Sequence, residues 1–325
     1  MKLEAFGWSS ERQAEFAPYA AEGLVAGRVV GEHRSHFQVA TDAVELSAEL
    51  TGRLRKSAAQ RSDLAGVGDF VAMRLSAGDG NATIEDVLSR TSALIRKASG
   101  EDRPQLLAAN VDAVFIVTAP DGDFNLPRIE RLLALVADSS ATPVIVLNKS
   151  DLTDDVDGTR EQIATIAPGV PVNAASARAG DGIAALERYF YGNRTIGLIG
   201  SSGVGKSTLT NALLGRAAQA TQEVRAHDSR GRHTTTHRQL FLRPRGGAII
   251  DTPGMRGVEL WNTGEDAAAN FDDIETLALS CKFRNCRHDT EPACAVRAAV
   301  GRGELEAERV ARYVKLARPA HLGAR

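Results

Sequence analysis

Cysteine and lysine are the scarce residues of this 325-residue chain. Its three cysteines, Cys281, Cys286 and Cys294, fall inside one 14-residue window. An odd count so confined argues against a disulfide framework and for a metal ligand set in a reducing compartment. Seven lysines leave 39 − 7 = 32 arginines, a bias that a G+C-rich genome also produces, so arginine abundance alone assigns nothing. An excess of one charge sign is missing too. Lys+Arg number 39 against 41 Asp+Glu, a formal net of −2, which excludes a polycation and confines any nucleic-acid contact to local patches. No stretch approaches 18 uninterrupted apolar residues, and the opening MKLEAFGWSSERQ lacks a basic segment followed by an apolar one. A soluble, cytoplasmic chain with no membrane contact is therefore expected.

The length suits two or three domains rather than one core. Residues 1–23 form an extension without an assignable role. Over 24–100 the segments LVAGRVVGEHR, HFQVATD, AVELSAEL and GVGDFVAMRL alternate roughly by twos between turn residues, predicting a small β-barrel, oligonucleotide-binding (OB-like) or merely structural. From 105 to 260, continuous apolar runs (VDAVFIVTAP, TPVIVLN, VPVNAAS, TIGLIG, GGAIIDTP) alternate with helical patterns such as PRIERLLALVADS and DGIAALERYFYG, the texture of an α/β domain with a buried parallel sheet. Residues 261–325 read as a small helical unit around the cysteine window, ending in the amphipathic ELEAERVARYVKLAR.

The α/β segment carries the chemistry. Gly200, Ser201, Ser202, Gly203, Val204, Gly205, Lys206 and Ser207 spell G-x-x-x-x-G-K-S between the strand TIGLI and the helix that Thr208 continues. In that context the glycines let backbone N–H groups wrap phosphates at a helix N-terminus, Lys206 reaches the β- and γ-phosphates, and the Ser207 hydroxyl binds Mg²⁺. Downstream, IIDTPG ends a strand with Asp251, placed to hold Mg²⁺ through water, and Gly254, whose N–H faces a γ-phosphate. VLNKSD supplies Asn148, Lys149 and Asp151. The Asp151 carboxylate accepts from guanine N1–H and its 2-amino group, Asn148 bonds the purine edge, and the Lys149 stem lies over the ring. Ser176 and Ala177, after the strand PVNAA, present backbone N–H groups to guanine O6. All four elements sit at strand ends, where α/β sheets bind ligands. GTP is the expected nucleotide, with ATP the lesser alternative.

Their order is unusual: the guanine elements at 148 and 176 precede the phosphate loop at 200, so the domain reads as circularly permuted. The residue after D-x-x-G, often a water-orienting glutamine, is Met255, so another group must serve. HDSRGRHTTTHRQL offers His233 for water positioning, with a plain loop histidine as the alternative, beside threonines suited to Mg²⁺. Cys281, Cys286, His288 and Cys294 give C-x4-C-x-H-x5-C, enough for a closed structural Zn²⁺ site, although reduced thiols in a small core or another metal stay open. Residues 216–245 hold seven arginines against two acids, a local +5, and TGRLRKSAAQR (51–61) adds four bases and no acid. Such runs are usually solvated loops, yet beside a nucleotide switch they also suit RNA phosphates.

The series NKSD, Ser-Ala, GSSGVGKS, RHTTT, DTPG and CKFRNCRHDTEPAC resembles the RsgA (YjeQ) family of small-ribosomal-subunit biogenesis GTPases over most of residues 24–318. The resemblance implies an OB-like barrel, a permuted P-loop GTPase domain and a helical zinc domain. It further implies hydrolysis of GTP to GDP and phosphate, stimulated by the small ribosomal subunit and its 16S-type rRNA during late maturation, with His233 catalytic, Thr235 the switch threonine on Mg²⁺, and Met255 an apolar replacement of glutamine. A monomer is expected. A GTP-dependent switch acting on a protein effector is the alternative.

Overall fold

The computed structural model describes residues 3–33, 36–76, 80–97, 103–121, 124–215, 238–251, 272–283, 286, 288, 291–305, 307 and 310. A 3₁₀ turn at Leu3–Phe6 precedes α1 (Ser10–Ala21), whose N-cap Ser9 accepts from the Arg12 N–H. Helix α1 lies on the barrel through an aromatic cluster. Trp8 meets Phe16 and Phe70 edge-to-face, with ring centroids 5.7 and 5.4 Å apart.

Five strands form the barrel: β1 (Val25–Glu32), β2 (Phe37–Ala40), β3 (Glu45–Leu50), β4 (Phe70–Leu75) and β5 (Asn81–Val87). Their order β1-β2-β3-β5-β4 closes through antiparallel pairing of β4 with β1, and β3 runs parallel to β5. That closure is the OB-like topology. Inward residues Val29, Val39, Val71, Met73 and Ile84 fill it. The basic segment after β3 holds α2 (Gly52–Ser57), N-capped by Thr51. The fifth strand, NATIEDV, escaped the sequence reading because its polar residues break the alternation.

A hairpin of β6 (Ala93–Lys97) and β7 (Pro104–Ala109) leads into the α/β sheet. There β8 (Ala113–Thr118), β9 (Thr142–Leu147), β10 (Val172–Ala174), β11 (Thr195–Gly200) and β13 (Ala248–Asp251) run parallel in the order β10-β9-β8-β11-β13, while β12 (Gln239–Leu242) lies antiparallel beyond β13. Helices α3 (Leu126–Ala137) and α4 (Val156–Ile166) cover one face, burying Ile129, Leu132, Leu133, Ile163 and Ile166. The other face is covered by α5 (Ile183–Leu186), a 3₁₀ turn to Phe190, and α6 (Lys206–Leu214), with Leu186, Phe190, Leu209 and Leu213 buried. Strand β8 is wholly buried, as a central parallel strand must be.

Barrel and α/β domain share one core. Phe6, Val30, Val67 and Leu94 belong to the same apolar cluster as Val114 and Ile116, and β12 pairs with β1 at Gly31↔Gln239. At the junction lies Arg28, 1% exposed. It donates to the Phe6, Gly68 (3.2 Å) and Asn110 (3.0 Å) carbonyls and lies over the Phe70 ring. Burial pushes its guanidinium down to about 10, so it stays charged at neutral pH. Arg12 of α1 donates to Asn110 Oδ1 at 2.8 Å. The N-terminal segment is thereby fastened to the domain junction.

The C-terminal part contains α7 (Asp272–Ala278) and α8 (Ala295–Gly301), with Ile274, Cys294, Val296 and Ala299 in a small core. Most of the expected terminal helix lies outside the described residues. No described helix is long and apolar enough to cross a membrane.

Candidate nucleotide site and metal cluster

The parallel sheet sets all four nucleotide elements at strand C-terminal ends, the D-x-x-G element through Asp251. Strand β11 delivers the loop Gly200–Gly205, and α6 begins at Lys206. Gly205 has φ +90°, and a Cβ there would lie 2.4 Å from Asn148 Nδ2, so the position needs glycine for both its backbone and its neighbour. Ser202 and Gly203 are exposed at the mouth, and Ser207 and Thr208 are half-buried on the first helical turn. Lys206 curls over the loop, its Nζ donating to the Gly200 and Ser201 carbonyls at 2.9 and 2.7 Å. It is 8% exposed. Burial pushes its ammonium down to about 8, against the opposing pull of Asp251. Asp251, buried at the end of β13, pairs in register with Leu198 of β11, so the carboxylate is beside the phosphate loop.

Asn148 follows β9 and is 2% exposed. Its Nδ2 donates to the Val204 carbonyl at 2.8 Å, and its Oδ1 accepts from the Ala177 N–H at 3.1 Å. One amide thus ties the NKSD turn to both the phosphate loop and the Ser-Ala loop. The expectation of a purine-edge contact overlooked this use of the side chain. Lys149, with φ +57°, ion-pairs with Asp121 at 2.9 Å, which holds its stem beside the cleft. Asp151 is exposed, accessible to a ligand. Ser176 is buried, and its Oγ accepts from the Ala179 N–H.

Asp121 and Arg128 were not anticipated. Arg128 on α3 donates to Ser201 Oγ at 2.7 Å, steadying the phosphate loop from the preceding helix. No local motif marks either residue; only the sheet order brings β8 and α3 against the loop. His233, Thr235, Gly254 and Met255 lie outside the described residues, as do Arg230 and Arg232.

The arginine-rich segment is described only in part. Of its seven arginines, three are described. Arg243 is buried, donating to the Leu213 carbonyl and to Glu187 at 2.6 Å over the Phe190 ring, and Arg238 turns inward toward Glu32. Only Arg245 of the three is exposed. A charge count carries no side-chain direction: Arg243 is packed over the Phe190 ring and Arg238 is ion-paired with Glu32.

With this geometry in view, comparison with known proteins is decisive. The RsgA GTPase family profile matches residues 87–261. A small ribosomal subunit biogenesis GTPase RsgA of Opitutus terrae is 45% identical, aligned over 100% of this chain and 91% of that protein. The chain belongs to the RsgA GTPase family. Another RsgA, from Xanthomonas axonopodis pv. citri, is 44% identical over 97% of this chain and 87% of its own length. Among solved structures, YjeQ of Thermotoga maritima superposes with a TM-score of 0.66 at 29% identity, covering 93% of this chain and all of that one. YloQ, described as a circularly permuted GTPase, gives 0.63 at 25% identity, covering 93% and 96%. RsgA membership indicates GTP hydrolysis, and the permuted order of motifs around a single sheet agrees with it.

The RsgA chain also carries a compact Cys₃His cluster. The ligand atoms of Cys281, Cys286, His288 and Cys294 all lie within 4.8 Å of one another. Tetrahedral zinc, with bonds of about 2.3 Å to sulfur and 2.0–2.1 Å to nitrogen, requires S···S separations near 3.8 Å and S···N near 3.6 Å. Cys281 and Cys294 Sγ are 3.8 Å apart, and His288 Nδ1 lies 3.6 and 3.4 Å from them. The donor set and spacing fit zinc, through Nδ1 rather than Nε2.

Proposed function

We propose that this chain hydrolyses GTP to GDP and phosphate in a reaction stimulated by the small ribosomal subunit, and acts in that subunit's late maturation. The observation that carries the reading is the single cleft formed by the phosphate loop, NKSD and Ser-Ala elements, tied through Asn148, in a chain whose full-length relatives are named for small-subunit biogenesis. Asp151 reads the guanine N1–H and 2-amino donors, and Ser176-Ala177 face O6. Gly200 to Thr208 enclose the phosphates, with Lys206 on the β- and γ-groups and Gly254 at the γ-phosphate. Ser207, Thr235 and Asp251 would hold Mg²⁺, whose charge neutralises the phosphate oxygens. His233 orients the attacking water. The Cys₃His set holds one structural zinc, which elemental analysis should return at one per chain.

The protein acts as a cytoplasmic monomer contacting 16S-type rRNA. Support for the partner comes from the relatives' names and from the OB-like barrel, whose basic segment carries exposed Arg53, Arg55, Lys56 and Arg61. Co-sedimentation with purified small subunits should be strong with a non-hydrolysable GTP analogue, weak with GDP, and steeply weakened by salt. Equal, salt-insensitive recovery with both nucleotides would remove the ribosomal reading and favour a protein effector.

A further inference from the structure

Two of the nucleotide elements are held by side chains of a connection that belongs to neither. The β8–α3 connection runs from Thr118, the last residue of β8, to Asn125, the N-cap of α3. Its start is stitched to the NKSD turn: Thr118 pairs in register with Leu147, and its carbonyl accepts from the Asn148 N–H at 2.8 Å. Beyond it, Asp121 meets the Lys149 ammonium at 2.9 Å. The backbone of Asp121 is itself tied, its carbonyl accepting from the Phe124 N–H at 2.9 Å. Lys149 is therefore pinned at both ends. Its backbone sits at φ +57° with its carbonyl accepting from the Leu152 N–H at 2.9 Å, and its ammonium is held by Asp121. Between the two the stem passes Gly205, where an added Cβ would lie 4.0 Å from Lys149 Cε. At the far end of the connection, Asn125 Oδ1 accepts from the Arg128 N–H at 2.9 Å and so fixes where that side chain starts. The Arg128 guanidinium donates to Ser201 Oγ at 2.7 Å, and the Ser201 carbonyl accepts from the Lys206 ammonium at 2.7 Å.

Both placements break a local rule. A lysine at positive φ is strained, and an arginine in the first turn of a helix faces the positive end of the helix dipole. The ion pair gives little stability in return, since both of its members are more than a quarter exposed. Local rules broken beside a cleft point to its ligand. We propose that the β8–α3 connection presets the cleft before nucleotide arrives, Asp121 ordering the base half through Lys149 and Arg128 the phosphate half through Ser201 and Lys206. Both are positioning residues. A lysine stem or loop that is not held beforehand must be ordered on binding, which weakens affinity by about 2- to 12-fold for each. The inference rests on the guanine-nucleotide reading above.

The chain holds seven lysines, so full-length protein labelled with ¹³C only at lysine Cε gives a simple NMR spectrum, in which Lys149→Met and Lys206→Met assign the two signals of interest. Without nucleotide, Asp121→Ala should mobilise Lys149 Cε and leave Lys206 as in wild type, whereas Arg128→Ala should loosen Lys206 and leave Lys149 unchanged. Titration with fluorescent GDP should find each variant weakened by about 2- to 12-fold, with urea midpoints close to wild type. Asp121→Asn, which keeps an acceptor oxygen, should recover part of the loss. On a Lys149→Met background, Asp121→Ala should change GDP affinity by less than about twofold, because the ammonium it acts through is gone. Should Arg128→Ala fail to fold, Ser201→Ala removes the same contact from the loop side and takes its place. Either variant mobilising both lysines, or lowering affinity only in step with the urea midpoint, means a merely structural role and overturns the proposal. So does a Lys149 stem already mobile in unliganded wild type, or GDP affinity unchanged in either variant. Wild type that binds ADP as tightly as GDP would instead remove the guanine reading, a failure that the nucleotide-free spectra do not share.

Discussion

Replacing Asn148 by alanine probes the join between base recognition and phosphate binding. The side chain is 2% exposed and makes two protein bonds, Nδ2 to Val204 O at 2.8 Å and Oδ1 from Ala177 N at 3.1 Å. Alanine strands a carbonyl in the phosphate loop and an N–H in the Ser-Ala loop. Each buried group left unmade costs about 1–3 kcal/mol, and water entering the emptied space recovers part, so about 2–4 kcal/mol in total is expected. That deficit divides between fold stability and nucleotide affinity, because a bound nucleotide holds the same two loops. At 1.4 kcal/mol per decade, half of it appearing in binding weakens GDP by roughly 5- to 30-fold. Asn148→Asp keeps the acceptor for Ala177 but sets a carboxylate against the Val204 carbonyl, and should be at least as damaging. Fluorescent-GDP titration and denaturant unfolding of the same samples measure the two shares. If Asn148→Ala binds GDP within about twofold of wild type and unfolds within about 0.5 kcal/mol, the amide does not tie the loops and the reasoning fails.

The phosphate-loop lysine carries a pH signature. With its folded value lowered from 10.5 to about 8, the unliganded fold releases a proton that the unfolded chain keeps, so this group's contribution to stability rises with pH between about 8 and 10.5. Phosphate favours the ammonium, so nucleotide binding above pH 8 should take up a proton and weaken as pH rises, by up to about tenfold per unit; calorimetry in buffers of different ionisation enthalpy should detect that uptake, and pH-independent affinity from 7 to 9.5 would count against it. Arg28→Ala removes a donor from three carbonyls in three segments, of which Gly68 keeps the Asn110 Nδ2 bond, and should cost about 3–5 kcal/mol in urea unfolding, with Arg28→Lys recovering only part because an ammonium lacks the planar fork. A loss below about 1 kcal/mol would deny Arg28 its role at the junction. Asp151→Asn should move base preference from guanine to xanthine, since the amide donates to the 2-oxo group where the carboxylate accepted; retained GTP preference in competition refutes the base assignment.

What the chain disclosed before folding was the chemistry with local grammar. A strand, a glycine loop and a helix start are contiguous, so GSSGVGKS announced both its geometry and its ligand, and CKFRNCRHDTEPAC brought four ligand atoms together within one short loop. The barrel emerged in part: four strands alternate visibly, whereas β5 carries Asn81, Glu85 and Asp86 and becomes a strand only because β3 and β4 flank it. Direction was illegible throughout. Arg28, Arg238 and Arg243 look in sequence like any surface arginine, yet each turns inward to groups 22 to 206 residues away, and only the sheet order makes those meetings. The same holds for Asp121 against Lys149 and Arg128 against Ser201. The N-terminal helix, silent as a motif, fastens the junction because Asn110 of the α/β segment receives Arg12.

The most direct measurement of the central claim is GTP turnover by the purified full-length protein, alone and with purified small ribosomal subunits at low salt. The isolated protein should hydrolyse slowly, because Met255 cannot orient water and His233 lies on the arginine-rich segment. Small subunits should accelerate turnover by roughly two orders of magnitude or more, and His233→Ala should lose most of that gain while still binding GTP. Large subunits should not substitute. If small subunits leave the rate unchanged at saturating concentration, the chain is not a subunit-stimulated GTPase, and its GTP cycle serves another partner.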